Sequence, residues 1–369
     1  MTHTHISQTL AVDHQPEPGL LGLAERGLIP DALIRAGIRS QCRDRLRSES
    51  ANGAEAISRR YSSLIDTLRS SPVAIHTDAA NAQHYELPPG FFTHCLGKRL
   101  KYSCAYYPTG NETLDQAEEA MLRLYDSRAE LQDGQEILEL GCGWGSLTLW
   151  MAERYPNARI TAVSNSQLQR AHIESVCRAR GYTHVQVITR DVNALDLEPG
   201  RYDRCVSVEM FEHMRNYALL MKRIAGWLKP DGKLFVHIFA HRNLMYPFET
   251  SGEDNWMGRH FFTGGLMPAA DTLLWFQHDL QIEDRWQVDG THYARTANHW
   301  LANHDSARQD VLAILRSAYG EQHSALWNQR WRIFWMACAE MFAIAGGQEW
   351  LVAHYRFHRA PTSHRAPSV

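Results

Sequence analysis

The chain has 369 residues, 44% of them hydrophobic and 21% charged, enough for one large core or a core with a smaller appendage. A formal net charge of −3 excludes a globally basic surface, so nucleic acid is not an expected partner. No apolar run reaches the roughly 18 to 20 residues that cross a bilayer, and the start, MTHTHISQTLAVDHQPEP, lacks the basic-then-apolar order of a signal peptide.

The seven cysteines show no CxxC spacing, which points to reduced thiols and a cytoplasmic location. Twenty histidines are present, but no HExxH and no Cys/His quartet, so no metal site is expected.

Residues 1–18 are polar, contain two prolines and have no period; a disordered tail is expected there. Residues 19–113 read as a helical N-terminal cap with a pocket-covering segment. LLGLAERGL runs to Pro30, which suits the first turn of a second helix, PDALIRAGIRSQCRDRL, and residues 55–70 form a third. Arg39, Arg43, Arg45, Arg47, Arg59 and Arg60 crowd these helices. A solvated helix face is the plain explanation, with an anionic lipid surface or a homodimer contact as alternatives. Residues 80–113 mix aromatics with turn residues and should cover a pocket in irregular segments.

The main domain, residues 114–369, opens with the amphipathic helix LDQAEEAMLRLYDSRAEL and a QDG turn. Strands at 136–140, 159–163, 184–188, 203–208 and 233–239 then mix with helices at 146–154, 166–180 and 216–228. This order implies an α/β fold, a doubly wound Rossmann-like parallel sheet covered on both faces. Residues 242–310, rich in Trp, Gly and His, are expected to be an inserted lid. The end, WRIFWMACAEMFAIAGGQEWLVAHYRFHR, reads as a helix, a turn at Gly346 and Gly347, and a closing strand.

The stretch ILELGCGWGSLTL places Gly141, Gly143 and Gly145 between a strand and a helix, where bare backbone N–H groups can approach a ligand. It lacks both the GxGxxG dinucleotide spacing and the lysine of a P-loop, which disfavours a phosphate ligand. The order E/D-x-G-x-G-x-G resembles the first motif of the S-adenosylmethionine (SAM) dependent methyltransferases. That resemblance implies that the loop admits the amino acid end of SAM, with Glu139 near its ammonium.

The second strand leads into TAVSNSQLQ instead of ending in the usual acid. This is similar to the cyclopropane fatty acid synthase superfamily, and the similarity gives Ser164 and Gln169 the ribose hydroxyls and Asp191 the adenine amino group. Tyr102, Ser103, Asn165, Val192 and Val208 complete the cofactor set that the resemblance implies.

After the fourth strand comes VEMFEHMRNY. Spacings of three and four place Glu209, Glu212 and His213 on one face of a helical turn, and two acids and an imidazole beside a sulfonium form a plausible proton-accepting site.

YSCAYYPTGNETLDQAEEAML, GCGWGSLTL, VEMFEHMRNY, FFTGGLMPA, WLANHD and MACAEMF with GGQEW and HYRF resemble the plant coclaurine N-methyltransferase group over roughly residues 20–358. The resemblance implies methyl transfer from SAM, leaving S-adenosylhomocysteine (SAH), to a small-molecule amine. It makes Glu209, Glu212 and His213 catalytic: an acid binds the ammonium and His213 takes its proton. Tyr102, Trp256, Phe261 and Phe262 would wall the pocket.

The cyclopropane-forming cousins are the alternative, with carbon methylation of an unsaturated lipid and bicarbonate as base. Cys104, Glu212, His213, His237 and Tyr293 match the places that hold the bicarbonate there, whereas Glu209 stands where the lipid branch has glycine. A SAM-binding scaffold without turnover is the third reading.

Overall fold

Most of the apolar runs become strands of a single seven-stranded sheet. The computed structural model describes residues 14–75, 87–252 and 255–361. In it β1 (Glu136–Leu140), β2 (Arg159–Ser164), β3 (Val185–Thr189), β4 (Tyr202–Val208) and β5 (Leu228–His241) are parallel, in the order β3-β2-β1-β4-β5. Ile137, Leu138, Val206 and Phe235 are buried, as expected for parallel strands covered by helices on both faces.

After β5 the chain forms a short ribbon, β6 (Tyr246–Pro247) with β7 (Leu266–Met267), before returning to the main sheet as β8 (Leu280–Val288) and later β9 (Trp350–Arg359). The sheet is therefore mixed instead of parallel throughout. β9 runs antiparallel to β5 over nine residue pairs, Lys233 opposite His358 through His241 opposite Trp350, and β8 is antiparallel to β9. Residues 280–288, within the segment expected to be a lid, are thus a strand of the main sheet. β8 is half-exposed along most of its length and carries Glu283, Asp284 and Arg285, charges that suit a sheet edge and hide a strand from its sequence pattern.

The cap comprises α1 (Gly19–Glu25), α2 (Asp31–Glu49), α3 (Gly53–Ser70) and α4 (Pro89–Cys95), the last inside the segment expected to be irregular. Residues 80–86 of that segment lie outside the described residues. α5 (Leu114–Ala129) begins at a capping box in which Thr113 and Gln116 satisfy each other's backbone N–H groups. α6 (Ser146–Arg154), α7 (Gln167–Arg180) and α8 (Tyr217–Trp227) cover the sheet. The short α9 (Trp256–His260) lies between β6 and β7, and α10 (Gly290–Ser306), α11 (Arg308–Tyr319) and α12 (Glu321–Ala343) follow β8.

The cap arginines are in part bound to the body: Arg39 pairs with Glu340, and Arg45 reaches Asn255 and lies over the Tyr246 ring.

The expected tail is corrected over its last residues; 1–13 lie outside the described residues. His14 accepts from the Trp327 indole, Gln15 from Arg330, and Glu17 from Arg259. Buried Glu25 and Arg330 pair at 2.9 Å, and Glu25 also accepts from Trp256 and from the Glu17 backbone. These bonds tie the N-terminal segment, α9 and α12 together.

Candidate functional site

The carboxyl ends of the parallel strands open onto two cavities that share Tyr102, Glu209 and His213 as lining. The first is formed by the glycine loop, by Ser164, Asn165 and Gln169 after β2, by Asp191 and Val192 after β3, and by Val208, Tyr102 and Ser103. The second, of about 930 Å³, lies between the N-terminal helices, the segment that joins β5 to β8, α10 and α12.

The three loop glycines have positive φ angles of 82°, 52° and 83°. A Cβ on Gly141 would lie 2.7 Å from Met210 Cβ, and one on Gly145 2.7 Å from Ile173 Cγ1, while one on Gly143 would meet nothing within 4 Å. Gly143 therefore bares its backbone to the cavity, and Gly141 permits close packing at its rim. Gly145, expected at the cofactor, instead starts α6 and fits against α7; it does not line the cavity.

The polar groups of this cavity fit SAM. Ser164 Oγ donates to Gln169 Oε1 at 2.6 Å, which leaves Gln169 Nε2 buried with no hydrogen-bond partner among the described residues, as is Ser146 Oγ. Such donors call for an oxygen-bearing ligand. Glu139 is buried, accepts the Thr148 hydroxyl, and is pushed up to about 8 by burial, an acid suited to a cationic partner. Asp191 accepts from Asn193 N at 2.6 Å and so holds the short turn that carries Val192.

Glu209 is placed differently from a residue on a helical face. Its φ of 46° is left-handed, a conformation costing a side chain roughly 1–2 kcal/mol, and its N–H donates to His237 O at 2.9 Å. The carboxylate accepts from Cys104 N at 3.1 Å, His237 Nε2 at 3.0 Å and Tyr293 Oη at 2.6 Å. Three of the residues that the lipid-type resemblance assigns to bicarbonate thus converge on the carboxylate of Glu209. Cys104 does so through its backbone, since its thiol donates to Ala105 O.

Glu212 and His213 lie on a short 3₁₀ turn, Phe211–His213. Glu212 is 2% exposed and its Oε2 has no hydrogen-bond partner among the described residues. Burial, reinforced by the charge of Glu209, raises its pKa well above the carboxylate range. Burial pulls His213 down to about 4, with Arg215 adding to the effect, so the imidazole is neutral at neutral pH. It stacks on Phe262 with centroids 4.9 Å apart.

Trp256 and Phe262 line the second cavity as expected. Phe261 does not: it is fully buried, stacked on Phe334 and edge-on to Trp331, because α9 turns it inward.

Lys101 was not foreseen. It lines the first cavity, is fully buried, and donates to Ser103 Oγ and Cys104 O while lying 5.0 Å over the Tyr125 ring. Burial lowers it to about 8, and Glu209 acts in the opposite direction. Nothing in the KYS tripeptide signals a buried lysine. Arg190 and Trp144 also line the cavity, and only their position beside Asp191 and within the glycine loop could have suggested them.

Among the described residues no group of His, Cys, Asp and Glu could hold a metal ion, and no helix is long and apolar enough to cross a membrane.

Residues 74–348 match the family model described as mycolic acid cyclopropane synthetase. The chain is 37% identical to (S)-coclaurine N-methyltransferase of Thalictrum flavum subsp. glaucum, covering 92% of this chain and 95% of that one. It is 36% identical to its counterpart in Papaver somniferum, covering 92% and 97%. A crystal structure of coclaurine N-methyltransferase bound to N-methylheliamine and SAH superposes with a TM-score of 0.88 at 35% identity, covering 92% of this chain and 98% of that one. The chain belongs to the mycolic acid cyclopropane synthetase family, together with these N-methyltransferases, and is a SAM-dependent methyltransferase.

Proposed function

We propose that the protein transfers the methyl group of SAM to the nitrogen of a small apolar amine of the alkaloid type. The observation that carries this reading is Glu209 and the neutral His213 at the wall common to both cavities, with Glu212 beside them in the second, its Oε2 buried and open to a donor. The names of the most similar relatives support the acceptor class.

Glu139, Gly141, Gly143, Ser164, Gln169 and Asp191 would hold the cofactor in the first cavity. Bound there, SAM supplies an electrophilic methyl group on a cationic sulfur. The aromatic wall of Tyr102, Trp256 and Phe262 excludes water and offers faces to a cation. Burial raises the pKa of Glu209, and its three donors and Lys101 oppose that shift, favouring the carboxylate that draws an ammonium to the wall. Glu212 and His213 then hold and remove its proton, leaving the nitrogen lone pair free for in-line attack. Burial favours the protonated form of Glu212 in the empty site, so Glu212 holds the amine and the neutral His213 takes its proton. Orienting nitrogen and methyl in this way supplies up to roughly 7–11 kcal/mol of the barrier reduction.

The placement of the Glu209 carboxylate among Cys104 N, His237 and Tyr293 also supports the amine reading over bicarbonate-dependent carbon methylation, since those donors are already satisfied.

Glu212→Gln and His213→Ala test the assignment. Both are expected to bind SAH as the wild type does while methyl transfer to a tetrahydroisoquinoline falls by about 10²–10⁴. Wild-type turnover in both would remove these side chains from the reaction.

A further inference from the structure

A series of hydrogen bonds runs from the half-buried Arg128 of α5 along one face of the sheet to Glu209. Arg128 donates to His354 Nδ1 at 2.6 Å, His354 Nε2 lies 2.8 Å from His237 Nδ1, and His237 Nε2 lies 3.0 Å from Glu209 Oε1. His237 and His354 are direct partners across β5 and β9, and both are 0% exposed. Arg128 is half-buried, its guanidinium 5.0 Å over the Trp286 ring.

The first link fixes the direction of the others. A guanidinium has only donors, so His354 Nδ1 must accept. Burial lowers both imidazoles well below their ordinary range, so each is neutral and carries one proton. With Nδ1 accepting, His354 carries its proton on Nε2 and donates to His237 Nδ1. By the same rule His237 carries its proton on Nε2 and donates to Glu209. Tyr125 Oη lies 2.9 Å from His237 Nδ1 and shares with His354 the single lone pair of that nitrogen.

We propose that Arg128 and His354 are positioning residues: they set the donor polarity of this relay and thereby hold Glu209 as the ionised acceptor at the wall between the two cavities. The inference rests on the amine-methylation reading above and extends it. Aligned donors polarise one another, so the guanidinium charge is felt at Glu209 through two imidazoles. The relay also closes a route. The nitrogen of His237 that faces Glu209 already carries a proton, so Glu209 cannot pass one to it, and the proton of the acceptor must leave through Glu212 and His213.

Other groups face Glu209 as well. Lys101 and Cys104 approach from the segment before α5, and Tyr125 from α5 itself. Glu212 and His213 come from its own loop, Tyr293 from α10 and Cys338 from α12. Of these, Tyr125 also feels the Arg128 charge and packs against the His354 ring.

The test compares two pairs of variants. Arg128→Met and His354→Leu break the relay. Arg128→Lys keeps a charged donor, and His354→Gln keeps the polarity, because a glutamine accepts through Oε1 and donates through Nε2. The pH profile of kcat/KM for a tetrahydroisoquinoline is measured in each. The acidic limb is expected to move about one unit toward higher pH in the breaking variants, a tenfold loss on that limb, and to stay in place in the conserving ones. An unmoved limb in all four, or an equal displacement in His354→Gln and His354→Leu, would overturn the inference. If His354→Leu does not fold, the Arg128 pair, on a half-exposed helix face, decides the question. Glu209 ionisation is also read by carboxylate infrared difference against Glu209→Gln. A wild type that methylates no amine would therefore sink the functional reading, while the relay would still be decided by that titration.

Discussion

Replacing Glu209 by glycine separates what the backbone requires at this position from what the carboxylate does. Glycine accepts a φ of 46° at little cost, so about 1–2 kcal/mol of local strain is relieved. The same change leaves Cys104 N, His237 Nε2 and Tyr293 Oη without their acceptor. Three unmet buried donors cost about 1–3 kcal/mol each, so the net destabilisation is roughly 1–8 kcal/mol. Bicarbonate offers oxygens to the same donors, and at about a hundred times its Kd would restore about 2.7 kcal/mol. The assays are thermal unfolding and single-turnover methyl transfer, with bicarbonate titrated against chloride at matched ionic strength. Glu209→Gly is expected to unfold earlier and to be nearly inactive. Both defects should be partly and saturably restored by bicarbonate, to which the wild type is indifferent. A variant as stable and active as the wild type without bicarbonate would show that the three bonds carry no weight. A wild type that responds equally would reveal a separate bicarbonate site.

Gly141→Ala places a Cβ 2.7 Å from Met210 on left-handed backbone, and calorimetry is expected to show SAH affinity lower by tenfold or more with the fold retained. The raised pKa of Glu139 gives a signed pH effect: in the empty protein its stabilising contribution is full below 4.5 and is lost as pH rises through about 8. Binding the ammonium of SAH must then release a proton below that pH, so affinity rises from neutrality to about 8 and levels off; calorimetry in buffers of different ionisation heat checks this. Glu25→Ala leaves fully buried Arg330 without its carboxylate partner and is expected to cost roughly 3–5 kcal/mol in denaturant unfolding.

What could be read from the sequence was local. The parallel strands carry continuous apolar runs, and the glycine loop, Ser164, Gln169 and Asp191 follow strand ends, so their grouping on one edge of the sheet comes with the topology. What could not be read depends on distant partners. β8 is an edge strand whose exposed charges give no apolar run, and it is recognisable only beside β9. Residues 14–17 look like a polar tail until Trp327, Arg330 and Arg259 are brought to them. Phe261 and Phe262 are neighbours in sequence, and only the direction of α9 sends one into the core and the other into the cavity wall. Glu209 stands out in the sequence by its position after β4, yet its left-handed backbone and its ties to Cys104, His237 and Tyr293 join segments 28 to 105 residues apart.

The most direct test follows the label from methyl-labelled SAM when the purified protein is given a panel of secondary amines alongside unsaturated phospholipid vesicles. Label is expected in an N-methylated amine, at a rate unchanged by bicarbonate. Label in the lipid fraction, or none transferred to any acceptor, would contradict the assignment of the two acids and the imidazole to a nitrogen.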